Sequence, residues 1–180
     1  DTNARVPLPD RLLPVAVLLS ATARALRGFP ELNGQYVNGA LQSSDAVQLG
    51  VAIALRGGGL IAPALRDAER LAPTALMPLL LDLVARARSN GLRTSELTDA
   101  TVTVSALAEG TAQQVFGVIY PPQVAIIGFG AIAERPWAVD GLLGVRHTVF
   151  ATLSADHRVS DGHRGTLLLG EIQRLLHAPE

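Results

Sequence analysis

Residues 153–165 read LSADHRVSDGHRG and form the junction between a predicted strand and a predicted helix. The preceding residues 145–153 have the composition of a strand, and residues 161–176 carry apolar side chains at helical spacing. Asp161 stands at the start of this helix, where an aspartate commonly accepts free backbone N–H groups. The junction also contains His157, four residues before Asp161, and is the first place in the chain to look for chemistry.

His157 has two interpretations. In the first it is a hydrogen-bonded structural residue, because an H-x-x-x-D-G pattern arises by chance in about one or two of every hundred chains of this size. In the second it is a general base, since neutral imidazole takes a proton from a thiol or hydroxyl near neutral pH. Asp161 would then clamp the turn rather than bond the ring, and Gly162 would allow close approach of the backbone.

The composition bounds the class of protein. The chain has 180 residues, of which 48% are hydrophobic and 17% charged, and this predicts one folded domain with large contacts to other protein. The net charge is −1, with no basic stripe for nucleic acid. The absence of cysteine excludes disulfides, thiolate metal sites and cysteine nucleophiles, and no metal site is predicted.

The sequence also carries an expectation about location. No apolar run is long enough to span a bilayer, and residues 1–10 are polar and proline-rich, unlike a signal peptide. All fifteen basic residues are arginine, which is typical of a GC-rich bacterial genome. We therefore expect a bacterial, cytoplasmic protein with no membrane partner.

Apolar spacing and turn signals predict the order of the elements. Helices are expected over residues 10–26, 73–89 and 161–176, with a helical turn at 94–97. A hairpin is expected over 35–42, turning at Asn38-Gly39, strands over 47–55, 101–105, 124–132 and 145–153, and a further extended piece over 59–65. A turn is expected at Asp140-Gly141. Because this order is not a regular β-α-β alternation, we predict a single α/β domain of the two-layer α+β type. It has a mixed β-sheet with helices packed on one face.

LSADHRVSDG resembles the active-site signature D-H-R-x-x-D-G of the dihydrolipoamide acyltransferases, the core subunits of 2-oxoacid dehydrogenase complexes. Chloramphenicol acetyltransferase and condensation domains share the pattern H-x-x-x-D-G, but the residue before its histidine is usually another histidine. Here Asp156 and Arg158 flank His157. Four further stretches resemble family segments in the family's order: FPELNGQY (29–36), GLIAPALRDAERL (59–71), TVTVSAL (101–107) and VIYPPQVAIIGFGAI (118–132). The resemblance covers nearly the whole chain and implies a fold like that of chloramphenicol acetyltransferase.

The resemblance implies reversible acyl transfer between a lipoamide thiol and coenzyme A, both of them substrates, without a metal. His157 aligns with the family's general base, and Ser105 with the serine of its T-x-T-x-S strand, whose hydroxyl binds the oxyanion. Asp161 aligns with the residue that holds the turn. For Ser105 the alternative is a strand-end hydroxyl bonded to a neighbouring backbone group. The coenzyme A-binding residues are not assigned.

The resemblance also implies an assembly. Family members form homotrimers whose sites lie between subunits, and these often build larger cores. Their partners are a lipoyl domain, which carries the lipoyl group, a decarboxylase and a dihydrolipoamide dehydrogenase. We expect residues 1–180 to be the acyltransferase catalytic domain, without the family's N-terminal arm, lipoyl domain and subunit-binding domain. An arginine of that arm often partners the residue aligned with Asp161.

The sequence departs from the family at residues 105–110, SALAEG, where Ala106 replaces a frequent Asn and Ala108 a frequent Gly. Two alternatives to the acyltransferase core follow. The chain could be a non-catalytic structural core subunit, which the altered segment favours. It could also be a stand-alone coenzyme A-dependent acetyltransferase of a small hydroxyl acceptor, which Arg158 argues against.

Overall fold

The computed structural model describes residues 12–107 and 112–177. These residues contain four α-helices: α1 (Pro14–Leu26), α2 (Pro73–Arg88), α3 (Thr94–Thr98) and α4 (Gly162–His177). Their strands are β1 (Gly34–Val37), β2 (Ala40–Ser43), β3 (Leu49–Val51), β4 (Ile53–Ala54), β5 (Leu60–Ile61), β6 (Ala64–Leu65), β7 (Val102–Ala106), β8 (Ala125–Phe129), β9 (Ala133–Val139), β10 (Leu142–Thr148) and β11 (Ala151–Ala155).

Helix α1 begins at Pro14, since a proline in the first turn has no N–H that needs a helical partner. The predicted helix began four residues earlier; residues 12 and 13 precede α1, and residues 10 and 11 lie outside the described ranges. Burial extends around the helix, as its apolar composition predicts. Even its buried hydroxyls are paired, with Ser20 Oγ donating to the Leu71 carbonyl (2.9 Å) and Thr22 Oγ1 to the Leu18 carbonyl (2.8 Å).

The central sheet has the strand order β11-β8-β7-β3-β6. Strand β7 runs parallel to both β3 and β8, while β6 and β11 are antiparallel at the edges. Val102 and Val104 of β7 share one buried core with side chains from α1, α2 and α4. Because side chains alternate along a strand, Thr103 and Ser105 point to the other face. The predicted mixed sheet with helices packed on one face is confirmed.

An irregular segment, residues 112–120, crosses the face of the sheet opposite the helices. The Ala131 N–H donates to the Ala112 carbonyl (2.9 Å), and the Thr152 hydroxyl donates to the carbonyl of Val115. A side chain on Gly128 or Gly130 would overlap the backbone of this segment. The two glycines of the GFG sequence at 128–130 therefore allow the segment to lie directly on the sheet.

Two predicted strands differ from the structure. The strand predicted over 47–55 is interrupted at Ala52, whose N–H still donates to the Val104 carbonyl (2.9 Å), and β4 then leaves the sheet to pair with β5. The strand predicted over 145–153 was wrong, because these residues form the end of β10 and the start of β11. The turn predicted at Asp140-Gly141 is confirmed and joins β9 to β10.

Candidate active site

The turn between β11 and α4 starts at Asp156. The Asp156 N–H donates to the Val124 carbonyl (2.8 Å), which ties the turn to the residue before β8. The Asp156 carbonyl accepts the N–H groups of Val159 (3.1 Å) and Ser160 (3.3 Å). His157 lies within this turn and is exposed. The turn therefore presents an imidazole outward from a hydrogen-bonded backbone, as a general base requires.

Asp156 and Arg158, the neighbours of His157, form an ion pair. The Asp156 carboxylate accepts from Arg158 Nη2 (2.6 Å), from its Nε (3.0 Å) and from its backbone N–H (3.0 Å). These bonds, chiefly those of the guanidinium, lower the pKa of Asp156 to about 2. The guanidinium also lies over the Tyr36 ring, with Cζ 3.8 Å from the centroid. The backbone on both sides of His157 is thereby held by charge.

Asp161 accepts the backbone N–H of Arg164 (2.9 Å) at the start of α4. That bond is the main cause of a pKa for Asp161 below its ordinary value. The Arg164 side chain instead binds Glu31 (Nε to Oε1, 2.5 Å) and lies over the Phe29 ring (4.6 Å to the centroid). Asp161 thus caps the helix through the backbone, one of the two ways of clamping the turn that the sequence suggested.

The expectation that Gly162 allows another part of the backbone to approach closely was wrong within the single chain. A Cβ at Gly162 would meet nothing within 4 Å. The close approach is three residues further on, where a Cβ at Gly165 would lie 3.0 Å from Leu153 Cδ2. Gly165 is buried and lets α4 pack against β11.

Ser105 lies near the end of β7, half-buried, on the face away from the helices. It is opposite Gly128 of β8, which is in turn opposite Thr152 of β11. His157 follows β11 by two residues, at the end of the sheet where β7 and β8 begin. His157 and Asp161 thus lie in one turn, and Ser105 lies toward the opposite end of the same sheet.

The separation of these residues follows from strand geometry. From Thr152, which is level with Ser105, to Ala155, the last residue of β11, the strand advances by three residue steps, or about 10 Å at the usual rise. His157 lies beyond that point. Ser105 and His157 of one chain therefore lie at different levels of the sheet.

Two surface hollows lie in the described part of the chain, away from these residues. One, of about 470 Å³, lies at the end of α4 and is lined by Gly170, Gln173, Arg174 and His177. Another, of about 180 Å³, lies between α2, α3 and β6. Neither hollow is lined by His157 or Ser105.

Residues 12–107 and 112–177 contain neither a cluster of metal ligands nor a helix that could cross a membrane. There, no three His, Asp or Glu side chains gather as metal ligands. None of the helices in these ranges combines the length and apolarity that a membrane crossing requires. Of the altered residues in SALAEG, Ala106 continues β7 opposite Phe129, and Ala108 lies outside the described ranges.

Two residues around the turn were not recognised from the sequence. The guanidinium groups of Arg158 and Arg164 lie over the rings of Tyr36 and Phe29, respectively. Both aromatic rings belong to the stretch FPELNGQY, which the resemblance picked out for its order alone. The sequence signal for these contacts was the presence of two aromatic residues in that stretch and of two arginines, Arg158 and Arg164, soon after His157.

Comparison with known proteins tests the resemblance. Residues 2–180 match the family 2-oxoacid dehydrogenases acyltransferase (catalytic domain). A Zymomonas mobilis relative, the dihydrolipoyllysine-residue acetyltransferase component of the pyruvate dehydrogenase complex, is 30% identical over 163 residues. That alignment covers 91% of this chain and 37% of the relative, so the chain spans under half of its length.

Solved structures agree. A probable dihydrolipoamide acetyltransferase from Listeria monocytogenes superposes with a TM-score of 0.87 at 28% identity, covering 94% of this chain and 72% of that chain. The Azotobacter vinelandii dihydrolipoamide acetyltransferase, studied for the roles of a serine, a histidine and an asparagine in its catalytic mechanism, gives a TM-score of 0.83 at 28% identity. That superposition covers 92% of this chain and 69% of the Azotobacter vinelandii chain.

Two further structures bear on architecture. The cubic core of the pyruvate dehydrogenase multienzyme complex has a TM-score of 0.83 at 29% identity, with 92% of this chain and 69% of that chain covered. Chloramphenicol acetyltransferase, at 16% identity and a TM-score of 0.61 over 90% of this chain and 77% of that chain, shows the shared fold alone. The fold predicted from the resemblance is confirmed. The chain belongs to the family of 2-oxoacid dehydrogenase acyltransferase catalytic domains.

Proposed function

We propose that this domain transfers an acyl group between dihydrolipoamide and coenzyme A, with His157 as the general base. The observation that carries the proposal is the exposed His157 on a turn held by Asp156 and Arg158. Ser105 precedes His157 by 52 residues and Asp161 follows it by four. The serine, histidine and asparagine of the Azotobacter vinelandii enzyme have the same spacing.

The chemistry assigns one task to each residue. His157 takes the proton of the attacking thiol, and the thiolate adds to the thioester carbonyl carbon. The carbonyl oxygen becomes an oxyanion, which the Ser105 hydroxyl of a neighbouring chain stabilises by donating a hydrogen bond. The intermediate then collapses, the carbon–sulfur bond of the leaving thiol breaks, and that thiolate recovers the proton from the His157 imidazolium. Asp161 keeps the start of α4 in place and does not exchange a proton.

The separation of Ser105 from His157 supports a homotrimer with a site at each interface, because within one chain the two residues lie at different levels of the sheet. Such trimers would build a larger core, for which the cubic core of the related complex is the precedent. By family, the partners are a lipoyl domain that delivers the lipoyl group, a decarboxylase and a dihydrolipoamide dehydrogenase. The relative is bacterial, and we place this chain in the bacterial cytoplasm on that basis.

The test is acyl transfer from acetyl-CoA to dihydrolipoamide, with the S-acetylated product measured by mass spectrometry. We expect wild type to turn over and His157→Ala to lose about 10³-fold in kcat. His177→Ala is the matched control, since His177 ends α4 about 24 Å along the helix from the turn. It should keep the wild-type rate.

Three outcomes would overturn the proposal. Equal rates for wild type and His157→Ala would show that His157 is not the general base. A trimer that transfers to no thiol would make the chain a structural core subunit, the role that Ala106 in place of asparagine favours. Transfer to a small alcohol in preference to dihydrolipoamide would make it a stand-alone acetyltransferase.

A further inference from the structure

The hairpin β1–β2 lies beside the turn that carries His157 and contributes the ring of Tyr36. The hairpin is fixed to the sheet, because the Tyr36 N–H donates to the Pro122 carbonyl (2.8 Å) and Gln35 forms a bridge with Gln123. The Tyr36 hydroxyl donates to the Gly39 carbonyl within the hairpin (2.8 Å). The ring is therefore held from both ends.

Arg158 joins this ring to the turn. One edge of its guanidinium is bonded to both oxygens of the Asp156 carboxylate, and its flat face lies on the Tyr36 ring at 3.8 Å. A planar guanidinium suits this double contact, whereas a lysine ammonium would supply only a point charge. The Arg158 side chain is 62% exposed, so the Asp156 carboxylate and the ring are what restrain it.

The second arginine of the turn region repeats the arrangement. Arg164 lies over the Phe29 ring at 4.6 Å and binds Glu31, while its own N–H is bonded to Asp161. Phe29 and Tyr36 belong to the single segment that leads from α1 into β1. Two arginines that follow His157 thus rest their guanidinium groups on aromatic rings of one segment.

We propose that Tyr36 is a positioning residue for His157, acting through Arg158. Asp156 and Arg158 are the immediate neighbours of His157, so a displacement of the guanidinium moves the backbone from which the imidazole projects. General-base catalysis depends on placement of the base within a fraction of an ångström, and fixed supporting contacts provide it. The inference rests on the proposed function and adds to it a residue outside the D-H-R-x-x-D-G motif.

The test compares Tyr36→Leu, which removes the ring, with Tyr36→Phe, which keeps the ring and removes only the hydroxyl. We expect Tyr36→Leu to lower kcat by about tenfold while both KM values change by less than about twofold. Tyr36→Phe should keep most of the wild-type kcat. Equal losses in the two variants, or a change in KM with kcat retained, would overturn the inference.

A double-mutant cycle keeps the inference testable if Tyr36→Leu folds poorly. Arg158→Lys keeps the charge but loses the flat stacked face. We expect it to lower kcat by itself, and addition of Tyr36→Leu to lower it no further, because both changes break the same contact. Fully additive losses would show that Tyr36 does not act through Arg158.

A readout without turnover separates this inference from the proposed function. In protein with isotope-labelled histidine, the imidazole resonances of His157 are identified by their loss in His157→Gln. They should shift or broaden in Tyr36→Leu and not in Tyr36→Phe. A wild type without acyl transfer would reject the proposed function, whereas unchanged His157 resonances in Tyr36→Leu would reject the positioning role.

Discussion

The two ends of the central sheet are held together in different ways. At the end that carries His157, charged side chains fix the turn: Asp156 binds Arg158, and Arg164 binds Glu31. Toward the end that carries Ser105, the sheet is fixed by close backbone packing, in which Gly128 and Gly130 lie against segment 112–120. One chain thus carries His157 on a charge-stabilised turn and Ser105 on a sterically defined strand, at different levels of the sheet. Variants of the two ends should respond to different perturbations.

After His157→Ala, the largest effect is expected at the Ser105 end. Ser105→Ala should lower kcat by about 100-fold, because an oxyanion-binding hydroxyl acts mainly in the transition state. The KM for coenzyme A should stay nearly constant in the same steady-state assay. Ser154→Ala is the control, since Ser154 lies on the same face of the sheet in β11. If coenzyme A affinity collapsed while kcat survived, Ser105 would be a binding residue instead.

The next effect tests the steric packing of that end. Gly130→Ala places a methyl group against the carbonyl of Gln113, and the segment must move. We expect the free energy of unfolding to fall by about 2–3 kcal/mol, measured by urea denaturation. Gly57→Ala, in a loop where a Cβ meets nothing within 4 Å, should change it little. Equal stability of the two variants would contradict the close packing of segment 112–120 on the sheet.

A smaller effect tests the charges at the His157 end. Arg158 lowers the pKa of Asp156 to about 2 from an ordinary value of about 3.9. The ion pair therefore stabilises the fold fully above about pH 4, and this contribution is lost as the pH falls through about 2. Asp156→Asn should be less stable than wild type by about 1 kcal/mol at pH 7, and the difference should shrink as the pH falls from about 4 through about 2.

Urea unfolding of both proteins across that pH range measures the difference directly. Other carboxylates with lowered pKa values, such as Glu96, are present in both proteins and cancel in the comparison. A gap between wild type and Asp156→Asn that is the same at pH 2 and pH 7 would show that Asp156 does not act through its charge.

The smallest effect is expected at Gly162. A methyl group there meets nothing within 4 Å, and alanine is the better helix former. Gly162→Ala should raise the free energy of unfolding by about 0.5 kcal/mol in thermal or urea unfolding. A stable variant without acyl transfer would show that a second chain or a substrate approaches Gly162 closely.

Much of the fold follows from the sequence, because strong local signals agree with the tertiary structure. Helix α1 ends at Leu26 and the hairpin turns at Asn38-Gly39, both as predicted. Strand β9 was not predicted, since Pro136 and the charged residues beside it obscure its alternation, and the pairing of β9 with β10 is a tertiary property. The break at Ala52 likewise depends on the pairing of β4 with β5, which no local pattern reveals.

The candidate site was only partly predictable. The position of Asp161 at a helix start and its role as a cap follow from its residue type and place, as predicted. The stacking of Arg158 on Tyr36 could not be read from the chain, because 122 residues separate the two in sequence. The distance between Ser105 and His157 depends on strand directions, which the sequence does not specify. The catalytic roles of His157, Asp161 and Ser105 remain predictions.

The central claim is that a working site takes His157 from one chain and Ser105 from another. Its most direct test mixes two inactive variants, His157→Ala and Ser105→Ala, by unfolding and refolding them together, and measures acyl transfer. Random mixing in a trimer pairs an intact His157 with an intact Ser105 at about a quarter of the interfaces, so about a quarter of the wild-type rate should return. A mixture no more active than the average of the two variants refolded separately would contradict the shared site.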